Sequence, residues 1–199
     1  MNEHVRTPIP RPTTQGAEGL PRWRWTLAEF ERLIEAGILG EDDRVELIEG
    51  EIVPMSPKGN RHDLVKDAIA EYLQDHRPAD ARVAVESGWS PIDGVYHEPD
   101  IRIYPRRLEQ RSVPGAELRL LLEVSDSSLH FDLNTKSRIY ADLGVPEYWV
   151  VEAWSLTTHL HLLPGPDGYA EVRVVASIEV LAAHLLPTVK LKLAELQID

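Results

Sequence analysis

Residues 119–152 read RLLLEVSDSSLHFDLNTKSRIYADLGVPEYWVVE. The apolar run of Arg119–Val124 predicts a central β-strand, and Glu147–Glu152 predicts another. A helix near Asp132 separates them and ends at Gly144, because glycine often follows the last turn of a helix. This strand–helix–strand unit, joined to antiparallel strands earlier in the chain, predicts an α/β (α+β) fold in which helices flank a mixed central sheet.

Two further elements are expected before this unit. Thr26 and Glu29 form a capping box, which predicts a helix that Gly37 closes. Strand-like runs on either side of Glu49–Gly50 predict an N-terminal β-hairpin extension. A second helix is expected from a capping residue at Asn60 to about His76, followed by a strand over Arg82–Trp89.

Composition bounds the class of protein. The chain has 199 residues, and we expect residues 1–22 to be a mobile arm and residues 23–199 to form a single domain. The net charge of -12 argues against a surface built for tight, non-specific DNA binding. No apolar run approaches the length of a membrane span, and the absence of cysteine fits a cytoplasmic location.

Two carboxylates stand in otherwise apolar settings. Glu123 lies near the end of the predicted central strand, and Asp100 opens an alternating strand. Adjacent strands lie roughly 4.8 Å apart, so carboxylates at matched levels can share one cation. Mg²⁺ prefers oxygen ligands and retains waters, so two protein carboxylates suffice. Alternatively, each carboxylate is solvated or paired with an arginine.

Lys136 occupies the apolar stripe of the predicted helix, together with Leu133, Tyr140 and Leu143. The helix begins a short loop after Glu123, so its first turns should cover the end of that strand. Lys136 could then orient or deprotonate a water, or stabilise charge on a phosphorane. The alternative is a side chain that extends to solvent.

Histidines and glutamates elsewhere give weaker signals. On spacing alone, His62 fits a capping or surface histidine, and Glu46 fits an exposed strand glutamate. His159 and His161 alternate with leucines but have no third zinc ligand nearby, so we expect them to be exposed. The chain contains neither a nucleophile-elbow serine motif nor a phosphate-cradling glycine-rich loop.

Several segments together resemble the Uma-two family of restriction endonucleases, within the PD-(D/E)XK nuclease superfamily. The segments are Val45–Glu51, Arg61–His62, Pro99–Ile101, Leu122–Ser127, Asp132–Tyr140 and Gly144–Trp149. The resemblance implies a restriction-endonuclease-like domain over residues 23–199.

The resemblance also assigns residues to motifs. Asp100 matches the first acidic position and Glu123 the second, while the usual lysine position holds Ser125. The resemblance places that lysine in the following helix, at Lys136. Glu46 and His62 match recurrent family positions, which strengthens both as candidates.

Two functions are compatible with these residues. The first is an endonuclease that uses Mg²⁺ or Mn²⁺, held by Asp100, Glu123 and the main-chain carbonyl of Val124, to cut nucleic acid, with DNA the expected substrate. Lys136 would position the attacking water, and His62 or Glu46 would assist. The second is a non-catalytic dimeric interaction or nucleic-acid-sensing module. The acidic net charge favours the module, whereas the intact set of Asp, Glu and Lys favours the enzyme. The resemblance suggests a homodimer.

Overall fold

A computed structural model describes residues 14–15, 21–40 and 43–198. Most of the predicted arm over residues 1–22 lies outside the described residues. The parts that are described, Thr14–Gln15 and Pro21–Arg22, pair as a short antiparallel ladder. In the described portion of the chain, no helix is long and apolar enough to cross a membrane.

The chain contains both helices and strands. The helices are α1 (Leu27–Glu35), α2 (Asn60–His76), α3 (Leu129–Phe131) and α4 (Ser137–Asp142), with a π-helical segment, Asp132–Lys136, between the last two and short 3₁₀ turns at Gly115–Glu117 and Leu193–Glu195. The strands are β1 (Thr14–Gln15), β2 (Pro21–Arg22), β3 (Val45–Ile48), β4 (Glu51–Pro54), β5 (Ala81–Val85), β6 (Ile101–Pro105), β7 (Leu120–Ser125), β8 (Glu147–Glu152), β9 (Thr158–Gly165), β10 (Gly168–Val175), β11 (Leu181–Ala182) and β12 (Lys190–Leu191).

The central sheet has six strands in the order β10-β9-β8-β7-β6-β5. Strands β7 and β8 are parallel, whereas the other neighbouring strands are antiparallel. A parallel pair needs a crossover connection, which the segment from α3 to α4 supplies. The predicted mixed sheet flanked by helices is therefore confirmed, and β7 is a central strand as expected.

Successive side chains of the central strands point to opposite faces of the sheet, and they are buried on both faces. Leu120 and Leu122 belong to an apolar cluster with Val65 of α2, whereas Leu121 belongs to a second cluster with Tyr140 of α4. Burial on both faces explains why β7 is almost continuously apolar. Glu123, two residues after Leu121, is directed to the face that α4 covers.

The β3–β4 hairpin packs beside the central sheet rather than within it. Its turn places Glu49 at φ 49° and Gly50 at φ 80°, the pair of positive values that a two-residue hairpin turn favours. Reciprocal backbone hydrogen bonds of 2.8 Å between Leu47 and Tyr96 fix the hairpin to the strand-like segment before β6. This docking directs Glu46 towards the end of the central sheet.

Local boundaries differ from the expectations at three points. The capping box of Thr26 and Glu29 is present, but α2 has Gly59 at its N-cap, so Asn60 is the first helical residue rather than the cap. Strand β5 ends at Val85 instead of continuing to Trp89. The third difference is the π-helical segment, which interrupts the helix predicted around Lys136.

We expect Gly115→Ala to destabilise the fold by about 1–3 kcal/mol, the usual cost of overpacking. A β-carbon at Gly115 would lie 2.1 Å from the main-chain oxygen of Leu143, where α4 ends against the loop before β7. Urea unfolding of the full chain measures the loss. Gly165→Ala is the control, because its nearest contact is an ordinary 3.7 Å; equal losses in the two variants would contradict the expected clash.

Candidate active site

A cavity of about 290 Å³ lies where β6 begins and β7 ends. The β3–β4 hairpin, the start of α2 and the π-helical segment complete its walls. The structure brings all the candidate site residues to this cavity: Glu46, His62, Asp100, Glu123, Val124 and Lys136.

Asp100 and Glu123 face each other across the antiparallel pair of β6 and β7. The main-chain N–H of Asp100 donates to Glu123 Oε2 at 3.2 Å, and the N–H of Val124 donates to Asp100 Oδ2 at 2.8 Å. Both residues are buried, with exposed fractions of 2% and 4%. The register of the two strands therefore places the two carboxyl groups at one end of the sheet.

Lys136 extends from the π-helical segment into the same cavity. Its Nζ donates to Glu123 Oε1 at 2.9 Å and lies 3.8 Å from Glu46 Oε1 and 4.0 Å from Asp132 Oδ1. Burial alone would lower the pKa of Lys136, but the charges of these carboxylates raise it above its ordinary value. Lys136 is therefore an ammonium group that donates hydrogen bonds.

Glu123 is the least readily ionised carboxyl group of the cavity. Burial raises its pKa to about 8; Lys136 opposes this shift, whereas the charges of Asp100, Asp132 and Glu46 add to it. The hydroxyl of Tyr140 also donates to Glu123 Oε1, at 2.8 Å. A bound cation would favour the ionised form of this carboxyl group.

Asp100 has two basic neighbours, Lys58 and His62. Lys58 Nζ lies 2.6 Å from its Oδ1, and His62 Nε2 lies 3.0 Å from its Oδ2. Burial raises the pKa of Asp100, but the hydrogen bond with His62 and the charge of Lys58 outweigh that effect and hold it well below its usual range. Asp100 is therefore ionised, and His62 is a buried partner of Asp100 rather than a surface residue.

Glu46 is a buried anion and not the exposed strand glutamate that its spacing suggests. Its exposed fraction is 3%, and its Oε1 accepts the main-chain N–H of Glu98 at 3.1 Å. His97 Nδ1 lies 3.4 Å from the same oxygen. Although burial raises its pKa, Lys136 and His97 lower the pKa of Glu46 to about 2.

Asp132 is a cavity residue that sequence reasoning placed only in a motif. Its Oδ2 accepts from the hydroxyl of Ser125 at 2.6 Å, and burial raises its pKa. The π-helical segment buries both Asp132 and Lys136, and such segments are frequent at functional sites. Lys58 was also missed, because a single lysine in a proline-rich loop carries no local signal.

The two histidines of β9 were expected to be exposed, but the structure shows His159 partly buried and His161 buried. His159 Nε2 lies 2.9 Å from Glu152 Oε1. His161 is buried between the rings of Tyr148 and Tyr169, and burial lowers its pKa to about 4. Neither lines the cavity of the candidate site.

The oxygen donors of the cavity suit a hard divalent cation. Among the residues that the structure describes, no group of three or more His, Asp or Glu side chains is arranged to hold a metal ion. Asp100 and Glu123 can instead supply two carboxylates, with water in the remaining positions, as Mg²⁺ commonly requires. This donor set fits Mg²⁺ or Mn²⁺ better than Zn²⁺, which favours nitrogen and sulfur ligands.

Comparisons with known proteins agree with the fold. The model of the Uma2 family, described as "putative restriction endonuclease", matches residues 27–194. A solved structure from Anabaena variabilis, described as a putative nuclease belonging to DUF820, is similar with a TM-score of 0.65 and 15% identity, covering 85% of this chain and 96% of that one. A search of curated proteins found no match.

We expect Glu123→Gln to reduce the loss of stability that the metal-free protein undergoes between pH 5 and pH 9. The folded protein retains the proton of Glu123 up to a pKa of about 8, whereas an unfolded glutamate loses it near 4.5. Between these values the folded state binds more protons, so the free energy of unfolding falls as pH rises. Glutamine cannot ionise and lacks this contribution.

Urea unfolding in EDTA at several pH values measures the difference. Glu35→Gln, the same chemical change on an exposed side chain of α1, is the control and should follow the wild type. A Glu123→Gln profile parallel to that of the wild type would contradict the raised pKa.

Proposed function

We propose that this chain, which belongs to the Uma2 family of restriction-endonuclease-like proteins, is a metal-dependent endonuclease that hydrolyses phosphodiester bonds in DNA. The observation that carries the proposal is the meeting of Asp100, Glu123 and the ammonium of Lys136 in one cavity. Two carboxylates beside a lysine are the minimum apparatus for metal-assisted phosphodiester hydrolysis.

Asp100, Glu123 and the main-chain carbonyl of Val124 would hold Mg²⁺ or Mn²⁺. When bound, such an ion supplies a Lewis acid for a phosphate oxygen and lowers the pKa of a coordinated water. The ionised state of Asp100 suits this role, since its carboxylate needs to lose no proton first. Glu123 must release a proton, which the approach of a cation favours.

Lys136 acts as a donor in this proposal. Its raised pKa favours the ammonium form near neutral pH, which supports this role over that of a general base, the other alternative open from sequence. The ammonium can instead orient the attacking water and stabilise negative charge that develops on the phosphate. Glu46, which stays ionised, contacts the lysine from the β3–β4 hairpin at 3.8 Å.

His62 is proposed to position Asp100. One ring nitrogen contacts Asp100 Oδ2 at 3.0 Å and the other contacts Asp63 Oδ1 at 3.1 Å. Burial lowers the pKa of His62, but the hydrogen bond with Asp100 raises it above the usual value overall. A histidine engaged on both sides restricts the orientation of the carboxylate, which favours a supporting role over proton transfer.

A non-catalytic interaction or nucleic-acid-sensing module is the second candidate. The net charge of -12 favours the interaction form of this module over nucleic-acid binding, because a strongly acidic surface repels a polyanion. Incubating the full chain with plasmid DNA, or with RNA, in Mg²⁺ or Mn²⁺ separates the two candidates. Metal-dependent cleavage supports the enzyme, whereas binding without cleavage supports the module. A homodimer and a cytoplasmic location remain part of the proposal.

Magnesium should stabilise the wild type but not the Asp100→Asn, Glu123→Gln double variant. An ion that binds only the folded state adds about 2.7 kcal/mol at a hundredfold excess over its dissociation constant. The double variant preserves side-chain shape but cannot offer two carboxylates to the ion. Thermal melts with and without Mg²⁺ measure the gain. Glu35→Gln, Asp142→Asn is the control, since it removes the same charges from exposed helical positions. If Mg²⁺ raised the melting temperatures of all three proteins equally, the ion would bind at a site other than Asp100 and Glu123.

Replacing Lys136 with methionine should lower DNA cleavage by about 10²–10³-fold, the usual loss when one donor to a developing anion is removed. Methionine retains much of the length of the buried stem. The rate of plasmid nicking under saturating Mg²⁺ measures the loss, and a melt establishes that the variant is folded. Arg138→Met, on the exposed side of α4, should cleave at the wild-type rate. Wild-type cleavage by Lys136→Met would exclude the catalytic role.

A further inference from the structure

Lys58 is a cation that touches the proposed metal ligand Asp100, although the proposed reaction gives it no task. Its Nζ lies 2.6 Å from Asp100 Oδ1 and 2.7 Å from Glu86 Oε1. The side chain is only 13% exposed, and both carboxylates lie within hydrogen-bond distance of its ammonium group. Lys58 is therefore an integral part of the cavity wall.

The two oxygens of Asp100 have different surroundings. Oδ2 accepts the N–H of Val124 at 2.8 Å and lies 3.0 Å from His62 Nε2. Oδ1 is the oxygen that Lys58 contacts. A metal ion that binds through Oδ1 therefore meets the ammonium group of Lys58 at the same atom.

We propose that Lys58 is a resident counter-ion of Asp100, which neutralises this carboxylate while the metal is absent and competes with the metal for Oδ1. This inference rests on the proposed function, because it requires Asp100 to be a metal ligand. Lys58 is then a positioning residue that sets the metal affinity of the site.

Glu86 gives Lys58 a second partner when a metal takes its place. The carboxylate of Glu86 lies outside the cavity, is 36% exposed, and already contacts Lys58 through Oε1. A lysine ammonium has three donors on a flexible four-carbon stem, so it can leave Asp100 and remain bound to Glu86. Lys66 contacts the other oxygen of Glu86 at 2.7 Å and leaves Oε1 to Lys58.

Electrostatic repulsion between Lys58 and a bound metal ion determines how Lys58 affects metal affinity. An ammonium and a divalent cation beside one carboxylate repel each other, and the repulsion is several-fold stronger in a partly buried site than in water. Without Lys58, the buried carboxylate of Asp100 would retain His62 as its side-chain partner among those described above. Lys58 therefore stabilises the metal-free fold and weakens metal binding.

The test compares Mg²⁺ binding to the full-length wild type, Lys58→Met and Lys66→Met by titration calorimetry. Lys58→Met should bind Mg²⁺ about tenfold more tightly, which corresponds to about 1.4 kcal/mol. Lys66→Met removes the same charge from a lysine that shares Glu86 but does not touch Asp100, so it should keep the wild-type constant. Lys58→Arg retains the charge and should not bind more tightly.

Thermal melts supply a readout that does not depend on activity. In EDTA, Lys58→Met should have a lower melting temperature than the wild type, because Asp100 loses a partner. Saturating Mg²⁺ should reduce this difference in melting temperature. Should Lys58→Met bind Mg²⁺ no more tightly than a wild type that does bind it, the counter-ion role is excluded. Absence of Mg²⁺ and Mn²⁺ binding to the wild type would instead overturn the proposed metal-dependent function, and this inference with it.

Discussion

The hydrogen bond from the ammonium of Lys136 to Glu123 connects the central strand to the helical layer that covers it, and the rest of the cavity is organised around this contact. Lys136 Nζ lies within 4.0 Å of three carboxylates, those of Glu123, Glu46 and Asp132. A buried carboxylate without a partner is costly, so these three groups share one ammonium. The hairpin, the sheet and the π-helical segment must therefore hold their relative positions for the site to exist.

Much of the fold could be predicted from local patterns. The apolar run ending at Glu123, the run over Glu147–Glu152 and the stop at Gly144 together indicated the parallel strand pair and its crossover. The turn at Glu49–Gly50 was predicted because strand-like runs flank it, and both residues have the positive φ values of a two-residue hairpin turn. Asn60 was assigned wrongly as a cap, because capping depends on where the preceding loop places the backbone, and here Gly59 takes that position.

The candidate site was only partly accessible to the same reasoning. Asp100 and Glu123 stand out because they are carboxylates near the ends of apolar strands, and Lys136 because it interrupts a helical stripe. Lys58 gives no such signal, since it lies 42 positions before Asp100 in the sequence and their contact depends on the tertiary fold. Glu46 was misjudged on spacing for a similar reason: a strand in a hairpin looks half-exposed until the hairpin docks.

Stability alone does not account for this cluster of charges. The sheet already has an apolar cluster on each face, and replacing buried ion pairs with apolar side chains is often neutral or stabilising. What the cluster provides is a set of charges fixed in position before any ligand arrives. Within it the environment separates two similar groups, holding the pKa of Glu46 at about 2 and that of Glu123 at about 8. Such separation is characteristic of functional sites, because it assigns a permanent anion and a releasable proton to neighbouring carboxyl groups.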